Sequence, residues 1–162
     1  MNKEQQLHKE FIRLCKSFNK ELCIIPVLYG SLGLGKATKM DFSPKDIDIL
    51  VPFVYLYEQW IVLKKLMERL GYSLIDYREH EFSDGYNQVG FSYIEDLETF
   101  AEVDYRGLEK VLEDGAEYYV LSLDDYLNVY TKSSADGYRR SKNHGKDLKK
   151  MEVIRKIKGE NQ

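Results

Sequence analysis

Three stretches of the chain repeat apolar residues every three or four positions, the spacing that places side chains on one face of a helix. They predict a helix near the N-terminus, a second over residues 56–70 and a third near residue 150. Their apolar positions are Leu7, Phe11, Leu14, Cys15 and Phe18, then Leu56, Trp60, Leu63, Met67 and Leu70, then Leu148, Met151, Ile154 and Ile157. Gly71 predicts the end of the second helix, because glycine is favoured directly after a helix C-terminus.

Two further helices are predicted from local signals rather than from periodicity. Ser122, followed three residues later by Asp125, resembles a capping box, and this predicts a helix that begins there. A short helix is also expected near residues 32–38, inside a loop rich in glycine and lysine that ends at Ser43-Pro44.

Apolar runs and alternating residues predict the strands. Residues 22–29 form an apolar run that is typical of a buried strand. Residues 46–53 alternate, so that Asp46 and Asp48 lie on one face and three β-branched residues lie on the other. Shorter strands are predicted at residues 72–77, 79–82, 88–93, 99–106 and 118–121.

The order of these elements is helix, strand, loop, strand, helix, short strands and then helices, which predicts an α+β fold. Its sheet is expected to be mixed and mostly antiparallel, with helices on its flanks. Residues 1–121 are expected to form the core, and residues 122–162 a basic C-terminal helical arm that packs on it within one domain. A length of 162 residues suits a single core of this kind.

The composition is that of a globular protein in water. Hydrophobic residues make up 43% and charged residues 31% of the chain, a balance that is too apolar for a disordered protein. No apolar run approaches the ~20 residues that span a bilayer, and the N-terminus has no apolar signal-peptide segment. We therefore expect a cytoplasmic protein without a membrane partner. Cys15 and Cys23 form no Cys-x-x-Cys pair and are expected to be reduced thiols.

The charge of the chain is unevenly distributed. Its net charge is −3, but residues 131–158 contain ten Lys or Arg against three Asp or Glu, which makes this segment +7 and the rest −10. Such a run is either the solvated face of a helix or a basic arm that closes over an acidic, phosphate-binding body. Charge alone does not decide between these two interpretations. A nucleic acid is the alternative partner for the basic segment, but it is not favoured.

The most informative segments are Gly30-Ser31 and Asp46-Ile47-Asp48. On a strand, Asp46 and Asp48 point to the same side, and this concentrates negative charge that folding alone does not favour. A hard cation such as Mg²⁺ binds such a pair, because it prefers oxygen ligands. Gly30-Ser31 ends an apolar run, and the amide groups of the turn that it forms can hold phosphate oxygens. Together the two segments predict chemistry on a nucleoside triphosphate.

A second interpretation of the glycine-rich segment is a Walker A phosphate loop. Residues 30–36 fit the pattern G-x-x-x-x-G-K, with Lys36 as its lysine. The pattern then requires Ser or Thr as a magnesium ligand, but Ala37 follows. It also requires a long helix, and Pro44 interrupts the chain soon afterwards. A degenerate P-loop protein is therefore the least favoured interpretation.

The combination of Gly30-Ser31 with Asp46-x-Asp48 resembles the motif of the DNA polymerase β-like nucleotidyltransferase superfamily. The similarity is to its minimal members and to its lincosamide- and aminoglycoside-nucleotidyltransferase-like members. It implies a nucleotidyltransferase-like fold in which Gly30 and Ser31 bind the triphosphate. It also implies that Asp46 and Asp48 are catalytic and ligate two Mg²⁺ ions.

The resemblance extends to later segments of the chain. In this superfamily a third catalytic, metal-binding carboxylate lies on a neighbouring strand. Asp104 is favoured for this role, with Glu102 as the alternative. The lysines expected to neutralise the phosphates are, in order of preference, Lys146, Lys132 and Lys36.

One departure from the family pattern lies in the C-terminal segment. Lys146-Asp147 matches a Lys-Asp pair that recurs in the closing helices of the family. The family often has a second acid three residues after that pair, where this chain has Lys150. The role of Asp147 therefore stays open.

The resemblance implies a Mg²⁺-dependent nucleotidyltransferase. Such an enzyme would transfer a nucleoside monophosphate, with AMP from ATP favoured, to a hydroxyl group of a small molecule or a protein and release pyrophosphate. The alternative is a catalytically inactive member of the same fold that acts as a binding or antitoxin module.

Overall fold

The computed structural model describes the backbone of residues 1–135 and 137–160 and the side chains of residues 1–135 and 145–159. The helices are α1 (Lys3–Ser17), α2 (Gly30–Thr38), α3 (Trp60–Arg69), α4 (Asp96–Ala101), α5 (Leu123–Ala135) and α6 (Gly137–Glu160). The strands are β1 (Val27–Tyr29), β2 (Ile47–Val51), β3 (Ser73–Asp76), β4 (Glu81–Ser83), β5 (Gln88–Tyr93), β6 (Glu109–Glu113) and β7 (Ala116–Val120). A π-helical turn (Phe18–Leu22) extends α1, and 3-10 turns lie at Phe53–Leu56 and Tyr105–Gly107.

In the described part of the chain the strands form one sheet with the order β3-β4-β5-β2-β1-β7-β6. Strand β2 runs antiparallel to β1 and parallel to β5, and β1 runs parallel to β7. The remaining neighbours, β3 with β4, β4 with β5 and β6 with β7, are antiparallel. The predicted α+β fold with a mixed, mostly antiparallel sheet and flanking helices is confirmed.

Each face of the sheet carries its own apolar core, because successive residues of β2 point to opposite sides. Ile47, Ile49 and Val51 are fully buried and belong to a core that includes apolar residues of α1 and α3. Leu50 points to the other face and belongs to a core that includes apolar residues of α4, α5 and α6. Asp48 has the same parity as Leu50, so its side chain points to the face on which α4, α5 and α6 pack.

The structure confirms the helices predicted from the sequence. Helices α1, α2, α3 and α6 lie where they were expected, although α3 begins at Trp60 and a 3-10 turn precedes it. The capping box before α5 is also present. The Ser122 hydroxyl accepts a hydrogen bond of 3.1 Å from the Asp125 amide, and the Asp125 carboxylate accepts one of 3.4 Å from the Ser122 amide. Among the described residues, no helix has both the length and the apolar character needed to cross a bilayer.

The strand predicted at residues 99–106 is wrong. Helix α4 occupies its first part, Glu102 adopts a left-handed φ of 57°, and the 3-10 turn Tyr105–Gly107 follows. The apolar residues alternate here as in a strand, but the acidic residues that come first favour a helix N-terminus. Helix formation also buries the apolar face of α4 in the same core as α5. The carboxylates of this segment are therefore not presented by a strand.

The other differences concern strand length. The strand predicted at residues 22–29 is confirmed only at Val27–Tyr29, because Cys23 has a left-handed φ of 54° and interrupts the extended chain. The hairpin of β6 and β7 was predicted only in its second strand. Leu112 of β6 is 70% exposed, so β6 lacks the apolar signal of a buried strand. The Asp114-Gly115 turn, with both φ values positive, is the sequence signal for this hairpin.

Candidate functional site

The turn between β1 and α2 forms one side of the candidate site. Gly30 is the first residue of α2 and has a positive φ of 67°. A side chain at this position would overlap with the Asp48 carboxylate, so glycine is required for the acid to approach the turn. Ser31 follows in the first turn of this nine-residue helix. Backbone amides and the helix dipole favour an anion at such a place.

Asp46 and Asp48 lie at the start of β2. Asp48 pairs with Tyr29 of β1 and with Gly90 of β5, and Asp46 directly precedes the strand. Both side chains are half-buried. Burial raises the pKa of Asp46, while a backbone hydrogen bond and the charge of Lys150 act in the opposite direction. The structure thus brings the acid pair and the glycine turn together.

Helix α6 contributes a lysine that sequence reasoning did not select. Lys150 Nζ donates a hydrogen bond of 3.0 Å to Ser31 Oγ and lies 5.0 Å from the centre of the Tyr130 ring. Met151 and Ile154, one and four positions later, are buried in the core that α6 shares with α5. Lys150 therefore belongs to the inward-facing stripe of α6. The helical spacing of these residues is the sequence signal that could have identified it.

The lysines expected to bind phosphates are not in contact with the acid pair in the described structure. Lys132 lies 3.7 Å from the Glu102 carboxylate, so two predicted site residues face each other instead. Lys36 lies 3.4 Å from the Glu113 carboxylate. Lys146 is exposed on α6. The position of Lys36 gives no support to the Walker A interpretation, because its ammonium is directed at a carboxylate of β6.

The structure does not place a third carboxylate where the sequence suggested it. Asp104 lies in an exposed segment between α4 and β6, and its carboxylate accepts a hydrogen bond of 3.0 Å from the Arg106 amide. Glu102 follows α4, and its side chain is 79% exposed. Neither residue lies on a strand, so neither is next to β2 in the sheet. The strand that does lie next to Asp48 is β5, and it has Gly90 at the paired position.

Glu81 of β4 approaches Asp48 across this glycine, and sequence reasoning missed it. Glu81 pairs with Gly90 from the side opposite to Asp48. A Cβ atom at Gly90 would lie 3.5 Å from Asp48 Oδ1 and 3.7 Å from Glu81 Cγ. Gln88 Nε2 donates a hydrogen bond of 2.9 Å to the Glu81 carboxylate. Burial raises the pKa of Glu81, and the charges of three neighbouring carboxylates, Asp46 among them, raise it further.

These groups suit a complex of Mg²⁺ with a nucleotide. In nucleotide sites Mg²⁺ is commonly bound by one or two carboxylates together with phosphate oxygens, and Asp46 and Asp48 supply two carboxylates. The first turn of α2, the Ser31 hydroxyl and the Lys150 ammonium supply groups that bind phosphate. No three His, Cys, Asp or Glu side chains of the described residues lie close enough to form a metal-binding group. The fit therefore depends on oxygen ligands from the nucleotide itself.

Comparisons with known proteins give a sequence relative and a shared fold. No family model matches the sequence. The uncharacterized protein YnaI of Bacillus subtilis (strain 168) is 53% identical over 152 residues, which cover 94% of this chain and 97% of YnaI. The crystal structure of ANT(2")-Ia in complex with adenylyl-2"-tobramycin is similar with a TM-score of 0.53 and 12% sequence identity, over 93% of this chain and 87% of that chain. ANT(2")-Ia is an aminoglycoside nucleotidyltransferase, so the likeness shows a nucleotidyltransferase-like fold.

Proposed function

The chain belongs to the same family as YnaI of Bacillus subtilis, and we propose that it is a Mg²⁺-dependent nucleotidyltransferase. It transfers a nucleoside monophosphate, with AMP from ATP as the first candidate, to a hydroxyl group of a small molecule or a protein. The observation that carries this proposal is the contact between the Asp48 carboxylate and Gly30. Through this contact a carboxylate, a common ligand of metal ions, lies next to the N-terminus of α2, where backbone amides can bind phosphate. The fold that the chain shares with ANT(2")-Ia supports the same reaction class.

Asp46 and Asp48 are the residues that hold magnesium in this proposal. Asp46 directly precedes β2 and Asp48 is its second residue, so both side chains point to the same face of the sheet. Asp48 is also in contact with the first turn of α2. A Mg²⁺ ion held by these two carboxylates would polarise the phosphate group and make the acceptor hydroxyl easier to deprotonate. Replacing either aspartate by asparagine removes one negative charge from the pair and so weakens the binding of the metal.

Other residues bind and orient the substrates. The amides at the start of α2 and the Ser31 hydroxyl bind phosphate oxygens, and Lys150 neutralises part of their charge. The acceptor hydroxyl attacks the α-phosphorus and forms a new P–O bond. The bond from the α-phosphorus to the oxygen that bridges to the β-phosphorus breaks, and pyrophosphate leaves. We assign the acceptance of the hydroxyl proton to Glu81, because it lies across Gly90 from Asp48 and because burial and neighbouring charges raise the pKa of its carboxylate.

A second candidate function is a nucleotide-binding module without catalysis. The observation that favours it is Gly90, which occupies the position on β5 that pairs with Asp48 and offers no carboxylate. Such a module binds a complex of Mg²⁺ with ATP through Asp48 and Ser31 but transfers no group. Binding alone does not separate the two candidates, so the test must also measure turnover.

The test combines nucleotide binding with pyrophosphate release. Calorimetry with ATP, GTP, CTP and UTP, each with and without MgCl₂, measures binding. Pyrophosphate release is then followed with aminoglycosides and with hydroxyl-bearing proteins as acceptors. We expect Mg²⁺-dependent binding and acceptor-dependent release of pyrophosphate. Asp48→Asn should abolish both, whereas Lys36→Ala should leave both unchanged because Lys36 is directed at Glu113.

The outcomes separate the candidates clearly. Mg²⁺-dependent binding that Asp48→Asn abolishes, without pyrophosphate release for any acceptor, supports the module and overturns the transferase. Loss of binding in Lys36→Ala but not in Asp48→Asn supports a P-loop instead. Absence of any Mg²⁺-dependent nucleotide binding overturns both candidates.

A further inference from the structure

Lys150 lies near both parts of the candidate site, which are the acid pair Asp46 and Asp48 and the N-terminus of α2. Its Nζ donates a hydrogen bond to Ser31 Oγ at 3.0 Å, next to the glycine that touches Asp48. Ser31 directly follows Gly30, whose backbone is in contact with the Asp48 carboxylate, so the ammonium group lies near the acid pair. In agreement with this position, its charge lowers the pKa of Asp46, although burial raises that pKa more strongly. The same ammonium group is therefore close both to the expected phosphate position and to the acid pair.

The position of Lys150 is fixed by its helix. Lys150 is half-buried, and the next residue, Met151, is only 5% exposed in the core beneath α6. The Tyr130 ring of α5 lies 5.0 Å from Nζ, at a distance where a ring face attracts a cation. A lysine held in this way keeps its charge near the site, unlike Lys149, which is exposed.

A cation that is already present competes with a second one. Like charges repel more strongly in a half-buried site than in water, because the effective dielectric constant is lower. A free Mg²⁺ ion that approaches the acid pair is therefore repelled by the Lys150 ammonium group next to Ser31. A phosphate chain removes this conflict, because its oxygens accept hydrogen bonds from Lys150 and carry additional negative charge.

We propose that Lys150 is a built-in counter-ion of the acid pair, Asp46 and Asp48, and that it changes partner when the nucleotide binds. Before binding, its ammonium neutralises part of the acid pair and disfavours free Mg²⁺. When the triphosphate arrives, Lys150 donates its hydrogen bonds to phosphate oxygens and leaves both carboxylates to the metal. Magnesium therefore enters as the complex with the nucleotide rather than ahead of it. This inference rests on the proposed function, since it concerns the same acids and the same helix start.

The test measures the binding of a free metal and of the metal–nucleotide complex to the entire chain. Mn²⁺ is the probe for the free metal, and electron paramagnetic resonance measures the concentration of the unbound ion. The binding of Mg²⁺ with ATP is measured by calorimetry. Lys150→Met should bind free Mn²⁺ several-fold more tightly than the wild type. The same variant should bind Mg²⁺ with ATP about tenfold more weakly, the size of one charge-assisted hydrogen bond. The opposite signs of the two effects distinguish this role from a purely structural one.

Matched variants control for charge and for folding. Lys149→Met removes the same charge from the neighbouring exposed position of α6 and should change neither affinity by more than a small factor. Lys150→Arg keeps the charge and should restore both affinities most of the way. Circular dichroism and thermal melts of the variants identify any that fail to fold, and the comparison then uses Lys150→Arg and Lys150→Gln.

The two titrations test whether Lys150 exchanges the acid pair for phosphate. Tighter Mn²⁺ binding together with weaker Mg²⁺–ATP binding supports the exchange of partners. A decrease of both affinities, or no change in Mn²⁺ affinity, overturns it while leaving the proposed function intact, provided that Asp48→Asn still abolishes nucleotide binding. A wild-type chain that binds no nucleotide with Mg²⁺ overturns the proposed function itself.

Discussion

The backbone of Gly30 is in direct contact with the carboxylate of Asp48. Any other residue at position 30 would place its Cβ atom in the space that this carboxylate occupies. The positive φ of Gly30, 67°, adds a second requirement for glycine, because other L-residues rarely adopt it. One residue thus forms the turn between β1 and α2 and admits the acid to it.

Gly30→Ala is expected to abolish the binding of Mg²⁺ with ATP and to lower the free energy of unfolding. The left-handed conformation alone costs about 1–2 kcal/mol, and the clash with Asp48 adds to it. Gly71→Ala is the matched control, because Gly71 also has a positive φ, 97°, but no atom of the described residues lies within 4 Å of where its new methyl group would stand. It should cost similar strain and leave nucleotide binding unchanged. Urea unfolding measures the change in stability, and calorimetry measures nucleotide binding. Equal loss of binding in both variants would contradict a nucleotide site at Gly30.

Local sequence patterns predict some residues of the candidate site and not others. Asp46, Asp48 and Ser31 could be selected from the sequence because an alternating strand and a glycine turn define where their side chains point. Glu81 could not, because its position depends on the register of three strands. The helical spacing of α6 places Lys150 on the inward face, but its contact with Ser31 depends on how α6 docks. Long-range register is not determined by the local pattern of residues.

Glu113 joins the β6–β7 hairpin to the helices next to it. Its carboxylate accepts a hydrogen bond of 2.6 Å from Tyr118 Oη, and His8 Nε2 of α1 lies 3.0 Å away. Lys36 Nζ of α2 lies 3.4 Å from the same carboxylate. Burial raises the pKa of Glu113, but these partners outweigh burial and lower it to about 2. The hairpin is therefore fastened to α1 and α2 through one acid.

Glu113→Gln is expected to lower the free energy of unfolding at neutral pH by about 2 kcal/mol, less than the full shift because the side chain is partly exposed. The pKa of Glu113 in the folded protein lies below its usual value of 4.5. Its contribution is therefore complete above that value and is lost as the pH falls toward about 2. The difference between wild type and variant should shrink over this range in urea unfolding. Glu109→Gln, at an exposed position of β6, should show no such pH dependence, and a constant difference for Glu113→Gln would refute the argument.

Helix α2 packs closely on its neighbours because Gly33 has no side chain. A Cβ atom there would overlap with the Tyr126 hydroxyl of α5 and lie 2.8 Å from the Leu28 carbonyl oxygen. The position of Ser31 at the start of the same helix depends on this packing. Tight packing of α2 thus contributes to the geometry of the candidate site at the start of this helix.

Gly33→Ala is expected to lower the free energy of unfolding by about 1–3 kcal/mol through overpacking, although alanine favours helices. Gly145→Ala in α6 is the matched variant, because no atom of the described side chains and backbone lies within 4 Å of the added methyl group. It should instead raise the free energy of unfolding by about 0.5–1 kcal/mol. Urea unfolding measures both, and stabilisation by both substitutions would show that α2 has more room than the structure gives it.

Helices with several turns of regular apolar spacing were predictable, and shorter elements were not. α3 has a stripe of buried residues that includes Trp60, Leu63 and Met67, and it lies where it was expected. α4 has only six residues, too few for a helical period to differ clearly from an alternating one. Strand β6 lies at the edge of the sheet with one exposed face, so its apolar signal is weak.

The candidate site joins parts of the molecule that are far apart in the sequence. Gly30 and Ser31 come from α2, Asp48 from β2 and Lys150 from α6. The fold class was predictable because it follows from the order of the elements. The order of strands was not, since the parallel pairings of β2 with β5 and of β1 with β7 connect distant segments. A ligand that binds at this junction should stabilise the whole chain.

Mg²⁺ with ATP, at about 100 times its dissociation constant, is expected to raise the free energy of unfolding by about 2.7 kcal/mol. For a chain of this length the melting temperature should rise by roughly 5–10 °C. Asp48→Asn should lose this shift, because it removes a carboxylate that is proposed to hold the metal. Asp104→Asn should keep it, because Asp104 lies between α4 and β6 with its carboxylate on the Arg106 amide. Thermal melts measure both variants, and the reverse pattern would place the metal site elsewhere.

Gly90 is a position at which evolution can add a carboxylate to the candidate site. The codons of glycine and aspartate differ by one base, so a single point mutation would put an acid on β5 beside Asp48. The first added carbon would lie 3.5 Å from Asp48 Oδ1 and 3.7 Å from Glu81 Cγ, both ordinary contact distances. The sheet therefore tolerates the start of such a side chain without rearrangement. Selection can accordingly adjust the number of acids around this strand without rebuilding the scaffold.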